Sequence, residues 1–345
     1  MSFESFYRGK RVLVTGHTGF TGGWLVAWLK WVGAKVCGYS LPPSSRPNFF
    51  DAALLDRGIS SVFADIRDRE TLANIFTDFQ PEIVFHAVSA HDPQDPIELF
   101  GINVAGTVNL LEETRLTGSI RSLVLLTAIQ ASDWKPQSQS NWWFSTQSIA
   151  EASALAFAES FFRNSRTRLG IARLPALIGG GEWSESSLIG KLALSMLSGD
   201  PITVSESEFQ CCHVLEAVAA CLRYAERLFA SSGTHNVQNF CNSHQSVSPV
   251  EFAKKLAASW GELDLQIEIQ ASEPAQCAAT VDASTPASKE WTPVLSPDEA
   301  ISWAGEWYKA FSTDPASAVG TTKSQIERYS KLVSGQPAVP GAATV

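Results

Sequence analysis

The residues best placed to do chemistry are three glycines. Gly16, Gly19 and Gly22 recur at GxxGxxG spacing. They follow the apolar run Arg11 to Thr15 and precede a segment in which Trp24, Leu25, Trp28 and Leu29 recur at helical spacing. Strand, glycine turn and helix together turn a weak glycine motif into a dinucleotide fingerprint. Gly16 permits the tight turn, Gly19 lets the backbone approach a pyrophosphate, and Gly22 lets helix and strand pack closely. Thr18 and Phe20 lie in the same turn and join the candidate cofactor residues. Phosphates would meet unpaired N–H groups at the helix N-terminus, where the dipole favours negative charge. The plain alternative is a glycine-rich turn with no ligand, and position, spacing and flanks all speak against it.

Other chemistry is thin. Cys211-Cys212-His213 has no second cluster to complete four ligands, so no metal is expected. The cysteines Cys37, Cys211, Cys212, Cys221, Cys241 and Cys277 show no CxxC, which fits reduced thiols in a cytoplasmic protein. The chain has 345 residues, 45% of them hydrophobic, enough for a full core in one large or two modest domains. A net charge of −9 argues against non-specific nucleic-acid binding. MSFESFYRGK lacks an apolar signal core, and no apolar run is long enough to span a bilayer, so no membrane role is expected.

The elements that must position the glycine turn alternate. Strands are expected at Lys35 to Ser40, Ser61 to Ala64, Glu82 to His86, Ser122 to Thr127 and Gly170 to Leu174. Helices are expected at Arg69 to Phe79, Ile102 to Thr114, Ser145 to Asn164 and Asp298 to Phe311. Such alternation implies an α/β fold, a doubly wound parallel sheet of the Rossmann type with helices on both faces. Residues 1–178, with a return around 209–245, form the dinucleotide-binding domain. Residues 179–208 and 246–311 form a smaller α/β substrate lobe. From Ser312 the Ala/Ser/Thr/Pro/Gly-rich chain reads as a disordered tail, with room for a helical turn or two at Ser324 to Leu332. The second strand ends in Tyr39-Ser40-Leu41 without the acid that often binds a ribose, so Ser40 is the candidate there and NAD against NADP stays open.

These residues carry a family resemblance. Gly9 to Phe20 (GKRVLVTGHTGF), Gly38-Tyr39-Ser40-Leu41, Asp65-Ile66-Arg67-Asp68, Gln80 to His86, Asn103-Val104 with Gly106-Thr107, and Gly179 to Glu185 recur in order. So do Glu290-Trp291-Thr292-Pro293 and Glu306-Trp307-Tyr308. Over residues 6–311 the chain resembles the extended short-chain dehydrogenase/reductases that act on nucleotide sugars, the NAD-dependent epimerase/dehydratase family, and among them CDP-glucose 4,6-dehydratase. The resemblance implies tightly held NAD, a nucleotide-sugar substrate such as CDP-glucose, and a homodimer. It adds Asp65, Ile66, His86, Ala87 and Arg173 to the cofactor candidates, with His86 better read as loop support. It adds Asn103, Trp183 and His213 at the substrate. In that family NAD takes a hydride from C4 of the hexose, water leaves across C5–C6, and the hydride returns to C6. A Tyr of YxxxK is the base, its Lys binds the nicotinamide ribose, a Thr polarises the C4 oxygen, and an acid and a Lys serve the elimination.

The chain departs from that pattern where the chemistry is done. Thr127 is kept, but Ile129 stands at the acid position and Gln130 at the following Lys. Ala150-Glu151 set the register of the next motif, which puts Trp143 at the Tyr and Gln147 at the Lys. None of Tyr7, Tyr39, Tyr224, Tyr308 and Tyr329 has Lys four residues later. An indole N–H has no acceptor and no useful acidity, and a neutral amide cannot depress a neighbour's pKa. General acid–base groups contribute about 10²- to 10⁴-fold each, so their joint loss leaves negligible turnover. Ala176 and Phe209 replace an Asn and an Arg expected at the substrate.

The expectation is a nucleotide-sugar dehydratase homologue that keeps a dinucleotide site and has lost the chemistry. It would pair with itself or with an active homologue through Val104 to Thr114 and Ser145 to Phe162. The rivals are an active NAD-dependent 4,6-dehydratase or epimerase, with an acid/base set rebuilt from Thr127, His91, Asp92 or Asp133, and a redox sensor. Glu151 reads as helical scaffold; Trp134, Trp142, Trp143 and Lys135 lie in or beside a Trp-rich loop.

Overall fold

The computed structural model describes residues 3–90, 95–129, 142–205, 208–240, 246–261, 267–270 and 291–334. Its centre is a seven-stranded, all-parallel sheet in the order β10-β6-β5-β4-β1-β2-β3. The strands are β1 (Arg11–Thr15), β2 (Lys35–Ser40), β3 (Ser60–Phe63), β4 (Ile83–His86), β5 (Ser122–Ala128), β6 (Arg168–Leu174) and, returning late to the edge, β10 (His235–Asn239). β1, β4 and β5 are nearly or wholly buried along their length, as expected of strands covered on both faces. Strand order reverses at β1, which lies between β2 and β4. That is the switch point at which open α/β sheets hold ligands beyond their strand ends.

Two helical layers cover the sheet. One face carries α1 (Phe3–Tyr7), α2 (Phe20–Trp31), α3 (Phe49–Ala52) and, from later in the chain, α9 (Val214–Ala230). The other carries α4 (Arg69–Phe79), α6 (Gly106–Leu116) and α7 (Trp142–Phe157), with the short α5 (Pro96–Phe100) packed on α7. π-helical turns join α5 to α6 (Gly101–Ala105) and extend α7 (Ala158–Phe162). Outside the main sheet, β7 (Ala176–Ile178) pairs with β9 (Cys211–His213), and β8 (Ile202–Ser205) with β11 (Ile267–Gln270). α8 (Leu188–Ser198), α10 (Pro249–Trp260) and α11 (Pro297–Thr313) pack around these short pairs.

Several boundaries differ from the sequence reading for local reasons. The helical stretch before α6 begins at Pro96, not Ile102, because the Asp95 carboxylate caps it by accepting from Ile97 N and Glu98 N. α7 begins at Trp142, three residues before the expected Ser145. β4 starts after Glu82, whose carboxylate accepts from Arg11 N at 3.1 Å and pairs with Lys10. α11 starts at Pro297 behind a capping box of Ser296 and Glu299.

The largest correction is the tail. Ser317–Ser334 is a continuous helix, α12, with Ala318, Ile326, Tyr329 and Val333 buried. Composition misled because the helix is held by distant partners. Trp307 Nε1 donates to Thr322 Oγ1 at 2.9 Å, Gln325 Nε2 donates to Trp303 O at 2.7 Å, and Trp31 Nε1 donates to Glu327 at 3.3 Å. Tyr329 OH donates to Glu216 Oε2 at 2.6 Å, and Glu216 Oε1 accepts from Val294 N and Leu295 N at 2.7 Å each. Burial raises the Glu216 pKa, and its donors oppose the rise. Tyr329→Phe removes one donor from this buried carboxyl and should cost about 1–3 kcal/mol. A lower urea midpoint at unchanged slope is the expected result; an unmoved midpoint contradicts it. Residues 335–345 lie outside the described residues.

Candidate dinucleotide site

The glycine turn separates into residues the protein needs and one it does not. Gly16 has φ +75°, and a Cβ there would fall 2.6 Å from the Ala87 carbonyl carbon. A Cβ on Gly22 would overlap the Gly16 carbonyl. Gly19 has ordinary extended dihedrals, and a Cβ there would meet only Gly16 O, at 3.4 Å. Packing therefore explains Gly16 and Gly22 but not Gly19. Gly19 is the N-cap of α2 and offers no side-chain cap, so the first N–H groups of the helix are left for a ligand. Such a turn fits a pyrophosphate.

At the ends of β1 and β2, Thr18 Oγ1 lies 2.9 Å from Ser40 Oγ and donates to Leu41 O. Phe20, next in the turn, packs against the core beneath. Asp65 is committed to its own turn: Arg67 N, Nε and Nη2 all donate to its carboxylate, which lowers its pKa. Ile66 is buried against Gly106.

His86 supports the site from below. Thr107 donates its hydroxyl proton to Asn103 O at 2.6 Å, so Thr107 Oγ1 must accept from His86 Nε2 at 3.1 Å. The other ring nitrogen, Nδ1, then accepts from Thr15 Oγ1 at 2.6 Å. Both nitrogens face protein partners, and none is left for a cofactor. Burial pushes the His86 pKa down to about 4, that of His17 to about 4 and that of His213 to about 3. These rings are neutral when folded and take protons near 6.5 when unfolded, so the unfolded state binds more protons as pH falls from 6.5 toward 4. Stability drops across that window, by up to about 3 kcal/mol for His86 alone. His86→Asn should lose less stability than the parent between pH 7 and 5 in urea titrations; an identical loss contradicts the assignment.

Two of the residues expected at the reacting centre, Trp143 and Gln147, meet at one serine. Trp143 and Gln147 lie one turn apart on α7. Trp143 Nε1 donates to Ser89 Oγ at 3.0 Å, and Gln147 Nε2 donates to the same oxygen at 2.9 Å. Ser89 follows β4 and escaped the sequence reading; its only signal is its place three residues past a strand at the switch point. Ile129 is buried. Thr127 does not offer its hydroxyl to the cleft. It donates to Glu151 Oε1 at 2.5 Å, and Glu151 is held bidentately by Arg173, with Nε at 3.0 Å and Nη2 at 2.5 Å from Oε2. Arg173, expected at the cofactor, is thus neutralised by Glu151, which is buried. Gln130, His91, Asp92, Asp133, Trp134 and Lys135 lie outside the described residues.

The substrate candidates are placed elsewhere. The Asn103 amide exchanges two bonds with the Ala90 backbone, at 2.8 and 3.1 Å, and donates to Thr146 Oγ1 at 2.9 Å, so it braces the loop after β4. His213 caps α9 by accepting from Leu215 N at 3.2 Å and is buried between Trp24 and Trp303. Trp183 is buried against Trp307, Tyr308 and Phe311. Phe209 bridges to Val247 and packs on Phe252, while Ala176 opens β7. Spacing marked these side chains as polar or aromatic, but not which way they face. Among the described residues there is no cluster able to hold a metal, Cys37, Cys211, Cys212 and Cys221 are buried and in no disulfide, and no helix is long and apolar enough to cross a membrane.

The model of the NAD dependent epimerase/dehydratase family matches residues 12–237. The chain is 34% identical over 284 residues to CDP-glucose 4,6-dehydratase of Salmonella typhimurium, covering 75% of this chain and 79% of that protein. It is 36% identical over 115 residues to a GDP-mannose 4,6-dehydratase of Sordaria araneosa, covering 32% of this chain and 21% of the other. Among solved structures it is similar to UDP-glucose 4-epimerase of Thermotoga maritima with UDP-glucose, at TM-score 0.71 and 18% identity over 87% of this chain and 98% of that one. It is also similar to the Thermus thermophilus UDP-glucose 4-epimerase complex with NAD, at TM-score 0.70 and 19% identity over 87% and 99%.

Proposed function

The chain belongs to the NAD-dependent epimerase/dehydratase family, and from that premise we propose that it is a CDP-glucose 4,6-dehydratase-like homologue that binds NAD and has lost the hydride and acid–base chemistry. The observation that carries this reading is the face of α7: where a base and its cation are expected, an indole and a neutral amide are tied to one serine hydroxyl. Neither can take a proton from a sugar hydroxyl. The kept Thr127 is committed to a buried ion pair, which also argues against an acid/base set rebuilt around it. The glycine turn supports retention of the dinucleotide, because Gly19 leaves open the space a pyrophosphate needs. A nucleotide sugar such as CDP-glucose is then a ligand rather than a substrate.

The protein acts by binding, through a partner surface on α6 and α7. Val108, Leu116, Trp142 and, on the π-helical turn that extends α7, Phe161 are large exposed apolar side chains, and Arg115 lies over the Phe161 ring at 5.6 Å. A second copy or an active homologue fits there. Absorbance and mass spectrometry of the gently denatured protein test the reading: released dinucleotide supports it. A protein that arrives empty and ignores added cofactor overturns it.

A further inference from the structure

We propose that Ser89 is a ligand-binding residue whose hydroxyl donates to a sugar oxygen, on the ribose beside the nicotinamide or on the hexose of a nucleotide sugar. The inference deepens the reading above, and rests on it, that a dinucleotide and a nucleotide sugar are this site's ligands. Ser89 stands three residues past β4, beyond the strand ends where open α/β sheets hold their ligands. A serine hydroxyl has one proton and two lone pairs. Here both lone pairs are taken, because Trp143 Nε1 donates to Oγ at 3.0 Å and Gln147 Nε2 donates to it at 2.9 Å. Both are ordinary, well-formed bond lengths. Ser89 is left able only to donate, and among the described residues its proton has no acceptor.

Ser89 is also half-buried, so that proton is within reach of a ligand. Two N–H groups on one oxygen polarise its O–H and make it a better donor. The neighbouring hydroxyl does not compete, since Thr127 gives its proton to Glu151. Glu151, one turn beyond Gln147 on α7, is in turn spent on Arg173. What this face offers is therefore a neutral donor, which suits the uncharged oxygens of a sugar. Trp143 and Gln147 are the brace that holds the Ser89 oxygen.

Titration calorimetry of the full chain tests this, with NAD and ADP on the protein as purified, and with CDP-glucose and CDP on the protein saturated with NAD. Ser89→Ala should lose about tenfold in affinity for NAD or for CDP-glucose, the size of one hydrogen bond. ADP lacks the nicotinamide ribose and CDP lacks the hexose, so both should bind the variant as they bind the parent. A loss for NAD assigns the bond to the ribose, and a loss for CDP-glucose assigns it to the hexose. Ser89→Thr keeps the hydroxyl and should stay within about twofold of the parent. Trp143→Phe removes one donor from Oγ and should cost less than Ser89→Ala. Unchanged affinity of Ser89→Ala for whichever of NAD and CDP-glucose the parent binds overturns the inference alone. So does an equal loss for ADP and CDP, the mark of a residue that only braces α7. A parent that binds neither NAD nor CDP-glucose overturns the reading beneath the inference as well.

Discussion

Gly19→Val abolishes dinucleotide binding and leaves the fold standing, whereas Gly22→Ala damages the fold itself. The two glycines belong to one motif, yet the structure gives them different reasons. At Gly19 a side chain meets nothing of the protein closer than Gly16 O at 3.4 Å, so it projects into the space over the α2 N-terminus. A valine there occupies the pyrophosphate position and blocks the N–H groups, and NAD affinity should fall roughly 100-fold or more. At Gly22 even a methyl overlaps the Gly16 carbonyl, and overpacking of that kind costs about 1–3 kcal/mol. Calorimetry with NAD beside thermal melts separates the cases. Undiminished NAD affinity in Gly19→Val would sink the binding assignment, and an unchanged melt in Gly22→Ala would contradict the packing argument.

Glu151→Ala should be among the most destabilising single changes in the chain. Glu151 is buried, accepts from Thr127, and holds Arg173 through three contacts. Removing it strands a guanidinium inside the fold and leaves the Thr127 hydroxyl without its acceptor, a loss of about 3–5 kcal/mol. Replacing both partners, as Glu151→Met with Arg173→Met, should recover much of that loss, because an apolar pair of similar volume needs no solvation. Urea denaturation of the parent, single and double variants reads it directly. A single variant as stable as the parent would mean that the ion pair contributes nothing.

What could be read from the sequence was what depends on neighbours along the chain. The glycine turn, the bounds of α4 and the buried strands follow from spacing and local propensity. So does the place of Trp143 and Gln147 one turn apart on α7. What failed depended on partners far away. The composition of α12 reads as a tail because nothing near it announces that Glu216 waits, more than a hundred residues earlier, to receive Tyr329. His213 and Trp183 were assigned to a ligand by motif, while packing turns one into a helix cap and the other into core. Thr127 reads from the sequence as a hydroxyl for a ligand, while the structure turns it to Glu151, since a strand residue's face is set by what packs on it. Ser89, the one oxygen that Trp143 and Gln147 share, carries no signal beyond its place after β4.

The measurement that tests the central claim most directly is a single quenched incubation of the full chain with NAD and excess CDP-glucose, resolved by liquid chromatography and mass spectrometry. It counts protein-bound dinucleotide and sugar nucleotide in one sample. Dinucleotide bound near one per chain, with CDP-glucose recovered unchanged, is the expected result. Accumulation of a 4-keto-6-deoxy product would contradict it and return the α7 face to catalysis.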